Sequence, residues 1–175
     1  MAFYLRKFSR AKWDFNVNLE PSMFTADAIT GCTRTNKNKL SIWLSETNDF
    51  NDESVQKLIV ALATTMTEPA SIDLIWLDPT WFESKGYLIE KNDGKTRYSR
   101  VNFLHRDIAD LNHTDLAEVG SHIIHQLTVH GAYKKVLKSD LLALVYKWLI
   151  TDGDFEIDDL NEKWHEPLLK LANKH

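Results

Sequence analysis

Cysteine, glycine and proline are scarce in this sequence, and long apolar runs are missing. Cys32 is the single cysteine, so an internal disulfide, a cysteine-rich zinc site and the disulfide frameworks of secreted proteins are excluded. Six glycines in 175 residues provide no Gly-x-Gly-x-x-Gly turn, Walker loop or Gly-x-Ser-x-Gly elbow. No apolar run approaches the ~20 residues of a membrane-spanning helix, and residues 1–7 lack the apolar core of a signal peptide. We therefore expect a cytoplasmic protein.

The composition is that of a folded protein. Hydrophobic residues make up 43% of the chain, aromatic residues 11% and charged residues 26%, which excludes a disordered chain and allows one ordinary hydrophobic core. The charge is unevenly placed, because residues 1–48 carry an excess of Lys and Arg whereas the whole chain has a formal net charge of -4. An acidic chain does not coat nucleic acid in general, so any such binding must use the basic first quarter.

Hydrophobic alternation and density predict the first strands. Residues 3–8, 40–44 and 72–77 fit buried or half-buried strands, and the apolar density of the third favours an interior position in a sheet. An Asn-Lys-Asn turn at 36–38 predicts that residues 31–35 pair with the second strand, because Asn tolerates positive φ.

Helical spacing predicts one secure helix in the first half, over residues 55–66, with Asn51 as its N-cap. A second, short helix is predicted within residues 22–28. Two more strands, 87–90 and 97–104, are predicted on either side of an Asp-Gly turn. The first 110 residues thus combine strands with few helices.

The pattern becomes helical after Asp107. Amphipathic spacing predicts a helix over 116–127, and a segment that is apolar on nearly every side predicts a buried helix over 139–149. A last apolar stripe runs over 160–171, where Pro167 either kinks the helix or lies in the first turn of a new one.

These elements predict an α+β fold. Residues 1–110 form a mostly antiparallel sheet of five or six strands with one packed helix, and residues 111–175 form a helical region. We expect the two parts to pack into one compact unit.

Two features indicate a surface for a partner protein. The first is a group of aromatic residues in or beside a predicted loop after a strand: Trp81, Phe82 and Tyr87. Trp and Tyr frequently anchor binding interfaces, although burial under a neighbouring helix explains these residues as well. The second feature is the densest acidic run, with three candidate residues: Asp152, Asp154 and Glu156. This run fits a docking surface for a basic partner, and it equally fits an ordinary loop between helices.

The basic first quarter indicates an alternative function in nucleic-acid binding. Its candidate residues are Arg6, Lys7, Arg10, Lys12, Arg34, Lys37 and Lys39. Trp13 and Trp43 lie nearby in the sequence and would stack on bases. A solvated face of a hairpin explains the same charges without any ligand.

Metal binding and catalysis receive less support. His122 and His125 stand three residues apart on a predicted helix, with Asp115 or Glu118 near enough in sequence to complete a metal site. Histidines at the boundary of a buried face explain this pattern without a metal, and no His-Glu-x-x-His motif occurs. No set of residues indicates a catalytic site, and we expect neither a metal nor a cofactor.

The sequence therefore favours a cytosolic, non-catalytic protein-interaction protein, such as an accessory subunit of a complex or an immunity or antitoxin-type partner of a toxic enzyme. A nucleic-acid-binding accessory protein is the first alternative, and a small metal-dependent enzyme is the second.

Overall fold

A computed structural model describes residues 2–33 and 35–173 of the chain. Its strands are β1 (Phe3–Phe8), β2 (Leu40–Ser45), β3 (Ile72–Leu77), β4 (Ile89–Lys91), β5 (His105–Ile108) and β6 (Tyr133–Val136). They form a single sheet in the order β4-β5-β2-β1-β3-β6, and every neighbouring pair is antiparallel. The predicted α+β class, with an antiparallel sheet and helices towards the C-terminus, is confirmed.

Helices connect and cover the strands. The α-helices are α1 (Arg10–Trp13), α2 (Ala26–Cys32), α3 (Glu53–Ala63), α4 (Pro79–Lys85), α5 (His113–Thr128), α6 (Lys138–Asp152) and α7 (His165–Ala172). Short 3-10 helices cover Asp14–Asn16, Pro21–Met23, Ser99–Leu104, Ile157–Asp159 and Glu162–Trp164. Within residues 2–33 and 35–173, no helix combines the length and the apolar content needed to cross a membrane.

Helices cover both faces of the sheet. Successive side chains of a strand point to opposite faces, so one strand can contribute to two cores. On one face, Leu5, Trp43 and Leu74 pack with buried side chains of α3, α6 and α7. On the other face, Ile42 and Leu77 pack with buried side chains of α1, α2, α4 and α5. The sheet is thus the middle layer of the fold, and β3 has the interior position that its apolar density predicts.

Several helix ends follow from local sequence. Asn112 and Asp115 form a capping box at the start of α5, in which each side chain accepts a hydrogen bond from the other residue's backbone N–H. Asp52, and not the predicted Asn51, caps α3. Pro167 lies in the first turn of α7, which is one of the two arrangements that the sequence allows.

The described residues 31–33 and 35 do not form the strand that the sequence predicts there. α2 continues to Cys32 instead, because Ala28 and Cys32 lie one helical turn apart and both bury their side chains. The predicted turn does form, with Lys37 and Asn38 at φ values of 54° and 58°, but it closes only an isolated bridge.

The strand predicted over 97–104 begins later in the chain. Ser99–Leu104 is a 3-10 helix, in which the Asn102 side chain accepts hydrogen bonds from the backbone N–H and the hydroxyl of Thr96. β5 then starts at His105. The short helix predicted within residues 22–28 is divided between the 3-10 helix Pro21–Met23 and the start of α2. The prediction missed α1, α4 and β6, the last of which pairs with β3.

Candidate functional site

Trp81 lies in helix α4 and not in a loop as predicted. Asp78 caps this helix by accepting a hydrogen bond from the backbone N–H of Thr80 at 2.9 Å. Pro79 is the first helical residue, where its missing N–H costs no hydrogen bond, and Gly86 ends the helix at a φ of 73°. The start of α4 directly after β3 fixes the position of Trp81 on the fold.

Two other rings hold Trp81. Its ring centroid lies 4.3 Å from that of His122, with an interplanar angle of 10°, and 5.6 Å from that of Tyr87, with an angle of 29°. Trp81 and Tyr87 remain partly exposed, whereas Phe82 is fully buried and packs against both Tyr87 and His122. Two of the three aromatic residues of the predicted surface therefore reach the solvent, and Phe82 belongs to the core.

His122 is a buried neutral histidine. Its Nε2 accepts a hydrogen bond from the backbone N–H of Asp78 at 3.1 Å, so this nitrogen carries no proton. Burial lowers the pKa of His122 to about 4; the Asp78 carboxylate opposes the shift and His125 adds to it. His125 is exposed. The two histidines of the predicted boundary pair therefore differ, because His122 supports the Trp81 ring from inside the molecule.

A hollow of about 370 Å³ opens beside Trp81. Its lining comes from α4, α5 and the 3-10 helix that precedes α2: Pro21, Trp81, Lys85, Glu118, Ser121, His122 and His125. The Lys85 ammonium and the Glu118 carboxylate form an ion pair at 3.0 Å on its wall. Two walls of the hollow are thus helices, and the third is the chain segment over residues 14–24, which we call the 14–24 segment.

The 14–24 segment exposes four large apolar side chains: Phe15, Val17, Leu19 and Met23. Phe15 is 83% exposed and Met23 is 65% exposed. The fully buried Asn16 fixes the segment, because its Nδ2 donates to Lys12 O at 2.8 Å and its Oδ1 accepts from the backbone N–H of Thr25 at 2.8 Å. With Asn16 turned inward, its two neighbours face the solvent.

Aromatic packing anchors the two ends of this segment on α5. Trp13 is fully buried, and its ring lies 5.6 Å from that of Phe24 in an edge-to-face arrangement. Both rings lie over Gly120, where an added Cβ would come within 2.5 Å of Trp13. The sequence interpretation missed the apolar surface between these anchors. Its signal is the alternation of apolar and polar residues over 15–20, in a stretch without a helical period.

Two of the three acidic candidates are engaged inside the molecule. Asp154 accepts hydrogen bonds from the successive backbone N–H groups of Ser99, at 2.5 Å, and Arg100, at 3.2 Å. Asp152 accepts a hydrogen bond from the Tyr98 hydroxyl, which holds the pKa of this carboxyl below its usual range. These bonds fasten the end of α6 to the 98–100 backbone. The third candidate, Glu156, is exposed and caps the following 3-10 helix.

The basic candidates separate into groups. Arg6, Lys7 and Lys39 line a cavity of about 780 Å³, which we call the β1–β2 cavity. Lys39 is not free there, because its ammonium bonds the Glu90 carboxylate. Lys12 is exposed and lies against Gly31, another residue of the cavity wall.

The other basic candidates lie outside this cavity. The Arg10 side chain lies 3.5 Å from Asp14 and above the ring of Tyr133. Lys37 is exposed in the turn after α2, and Arg34 falls outside the described residues. Trp13 is fully buried and Trp43 is 4% exposed, so neither ring offers a free face for stacking on bases.

Arg6 closes the end of the ladder between β1 and β2. The pairing of these strands ends at Leu5 and Trp43, and the Arg6 guanidinium then donates to Ser41 O at 2.5 Å and to Cys32 O. The Nε of Arg6 is buried without a hydrogen-bond partner. Burial lowers the pKa of Arg6 to about 10. Arg6 is therefore both a structural bridge and a cation with unused donor capacity.

Among residues 2–33 and 35–173, no three His, Cys, Asp or Glu side chains come together in a way that could hold a metal ion. Comparisons with known proteins do not add an identity, since no family model, curated protein or solved structure matches this chain. The function must therefore be argued from the sites themselves.

Proposed function

We propose that this chain is a cytoplasmic, non-catalytic interaction protein that binds a partner protein through the 14–24 segment and Trp81. The observation that carries the proposal is the exposure of Phe15, Val17, Leu19 and Met23 within the 14–24 segment, whose Pro21 lines the same hollow as Trp81. Exposed apolar side chains that are grouped, and not scattered, are typical of protein-binding surfaces.

The surface is built to keep its shape without a partner. Trp81 stacks on His122 and Tyr87, and the buried Asn16 holds the exposed segment by two hydrogen bonds. A preorganised aromatic anchor loses little side-chain entropy on binding, and Trp residues of this kind dominate binding energies. These features support a role in recognition.

The chemistry of the partner follows from the surface. Apolar side chains form its centre, and Glu20 lies within the 14–24 segment without an ion pair to any described residue. The complementary partner surface is apolar with at least one basic residue at its rim. An accessory subunit and an immunity or antitoxin-type protein would both use such a surface.

The test is a comparison of two matched variants. Phe15→Glu places a charge in the proposed surface, and Phe103→Glu makes the same change at a phenylalanine that is 53% exposed in the 3-10 helix before β5. Pull-downs from the native host should recover a nuclease-resistant, stoichiometric protein with the wild type and with Phe103→Glu, and lose it with Phe15→Glu.

A photo-crosslinking amino acid at position 15 should also form an adduct with that same protein, and one at position 103 should not. Equal retention by both glutamate variants, or adducts from position 103 alone, would reject the surface. Circular dichroism and melting curves check that both variants fold, which we expect because both side chains are exposed.

A further inference from the structure

The β1–β2 cavity brings together cations that have no counter-charge. Arg6 and Lys7 line it, and Lys12 lies at its wall. Among residues 2–33 and 35–173, no carboxylate lies within 4.0 Å of the side-chain nitrogens of these three residues. Lys7 and Lys12 are exposed, so their lack of an ion pair is ordinary, whereas Arg6 is half-buried. A cation that is partly removed from water is normally paired, so Arg6 is unusual for a purely structural residue.

Arg6 is the clearest part of this anomaly. Two of its guanidinium nitrogens bond the carbonyl oxygens of Ser41 and Cys32, and these neutral partners do not balance its charge. Its Nε stays buried and unpartnered. The neighbouring Lys7 has its pKa lowered by partial burial and by the charge of Arg6, so the two cations repel each other. An anion in the cavity that both residues line would reduce this repulsion and balance the charge of Arg6.

Gly31 allows a third cation to approach. A Cβ at this position would lie 2.0 Å from the Nζ of Lys12, so any larger residue would displace the ammonium from the cavity wall. The wall also presents neutral hydrogen-bonding side chains, from Ser9, Thr35, Asn36 and Ser41. Cations that surround such groups are the usual recognition set for a phosphate group.

Two carboxylates that contact lining residues of the cavity are already occupied. Glu90 pairs with Lys39, and Asp107 accepts hydrogen bonds from Asn92 Nδ2 at 2.6 Å and from Ser41 Oγ at 3.4 Å. Asp107 is 4% exposed. These acidic groups therefore leave Arg6 and Lys7 without compensation.

We propose that the β1–β2 cavity binds a small organic molecule through its phosphate group, with Arg6, Lys7 and Lys12 supplying the positive charge. A volume of about 780 Å³ is that of a small-molecule site and exceeds the size of inorganic phosphate. Phe8, Trp43 and Leu62 give the same cavity an apolar wall for the rest of the ligand.

A nucleic-acid polymer fits this site less well. Its recognition calls for a charged track with exposed rings for stacking, whereas Arg6 and Lys7 line one cavity, Lys12 lies at its wall, and Trp13 and Trp43 are buried. The cavity shares no lining residue with the hollow beside Trp81, so this proposal stands or falls independently of the partner-binding surface.

Isothermal titration calorimetry at low salt tests the proposal with three probes: inorganic pyrophosphate, adenosine 5′-monophosphate and a single-stranded oligonucleotide. We expect saturable one-to-one binding of pyrophosphate and of the monophosphate. Lys7→Ala and Lys12→Ala should each weaken it at least about fivefold, as loss of one charge-assisted contact does. The matched control is Lys135→Ala, an exposed lysine of β6 outside the cavity, which should leave the affinity unchanged.

Three results would overturn the proposal: no heat with either phosphate probe at millimolar concentration, equal weakening by the control variant, or binding of the oligonucleotide alone. Amide shifts in a ¹⁵N spectrum give a second readout. Pyrophosphate should move the signals of Ser9, Gly31 and Ser41, and a pattern confined to exposed lysines elsewhere would contradict the assigned site.

Discussion

The acidic cluster at the end of α6 and the basic residues of the β1–β2 cavity are equally conspicuous in the sequence, yet their environments are opposite. The carboxylates of Asp152 and Asp154 accept hydrogen bonds within the molecule, from a tyrosine hydroxyl and from two backbone N–H groups. Arg6 and Lys7 face no carboxylate among the described residues. The acidic residues thus have their partners within the fold, whereas the basic residues have no acidic partner among the described residues.

This difference shows that charge density alone does not indicate function. A charged group that has found all its partners holds the fold together, whereas a buried one without a counter-ion reduces stability unless a ligand supplies the balance. The acidic run, which the sequence marks as a docking surface, is therefore better described as a clasp between α6 and the 98–100 backbone. The basic residues Arg6 and Lys7 have no such partners among the described residues, which is why we propose a ligand for them.

The largest expected effect is the loss of stability in acid that His122 causes, and it must be known before acid unfolding can be used to compare the two clusters. The pKa of His122 is about 4 in the folded protein and about 6.5 in an unfolded chain. The unfolded state therefore binds more protons between these values, and stability that is present above pH 6.5 is lost as the pH falls towards 4. The loss is up to about 3 kcal/mol, the largest effect that we expect.

Urea unfolding from pH 7.5 to 4 measures this loss. His122→Gln keeps an acceptor for the Asp78 N–H and cannot titrate, so it should flatten the curve over that range. His125→Gln changes an exposed histidine and should not. A curve for His122→Gln as steep as that of the wild type would contradict the assignment.

Truncation of the acidic clasp should have the next largest effect. Asp154→Ala leaves the backbone N–H groups of Ser99 and Arg100 without their acceptor, and should lower the free energy of unfolding by about 2 kcal/mol. Asp158→Ala removes a nearby exposed carboxylate and should change the free energy of unfolding by less than about 0.5 kcal/mol. Denaturant titration compares the two. Similar losses in the two variants would mean that the hydrogen bonds of Asp154 to the 99–100 backbone do not make the special contribution to stability that we assign to them.

The smallest expected effect is a gain in stability at the basic cavity. Lys7→Glu places a carboxylate beside Arg6, removes one repulsion and adds one attraction, and should raise the free energy of unfolding by a few tenths of a kcal/mol. Lys7→Gln, which only removes the repulsion, should give a smaller gain. Thermal melts at low salt resolve the order of the two variants. If both lower the melting temperature, Lys7 already has a stabilising role that the geometry does not account for.

The parts of the fold that the sequence predicted are those with long, regular patterns. The apolar periods of α3, α5 and α6 and the apolar density of β3 reflect faces that each element buries by itself. The elements that the sequence misplaced or missed depend on contacts with other elements of the fold. β6 offers Tyr133 and Val136 as its two apolar positions, and its strand geometry comes from pairing with β3.

The candidate sites show the same limit. The sequence pointed to Trp81 and to the basic first quarter, because aromatic residues and charge are visible in composition. It could not show that Phe82 is buried, that Asp154 bonds backbone across the fold, or that Arg6 lacks a counter-ion. Each of these facts depends on contacts between residues far apart in the chain.

The strand order has a consequence for the local unfolding of the sheet. β1 lies in the interior, and the later strands are added outward on its two sides, β2 and then β5 and β4 on one flank, β3 and then β6 on the other. Such a sheet assembles from the centre, and protection of its amides from hydrogen exchange should decrease from β1 towards both edges. Arg6, which donates to Ser41 O beyond the last pair of residues between β1 and β2, lies on the strand where we expect the slowest exchange. A ligand that enters beside it would therefore act on the last structure to unfold.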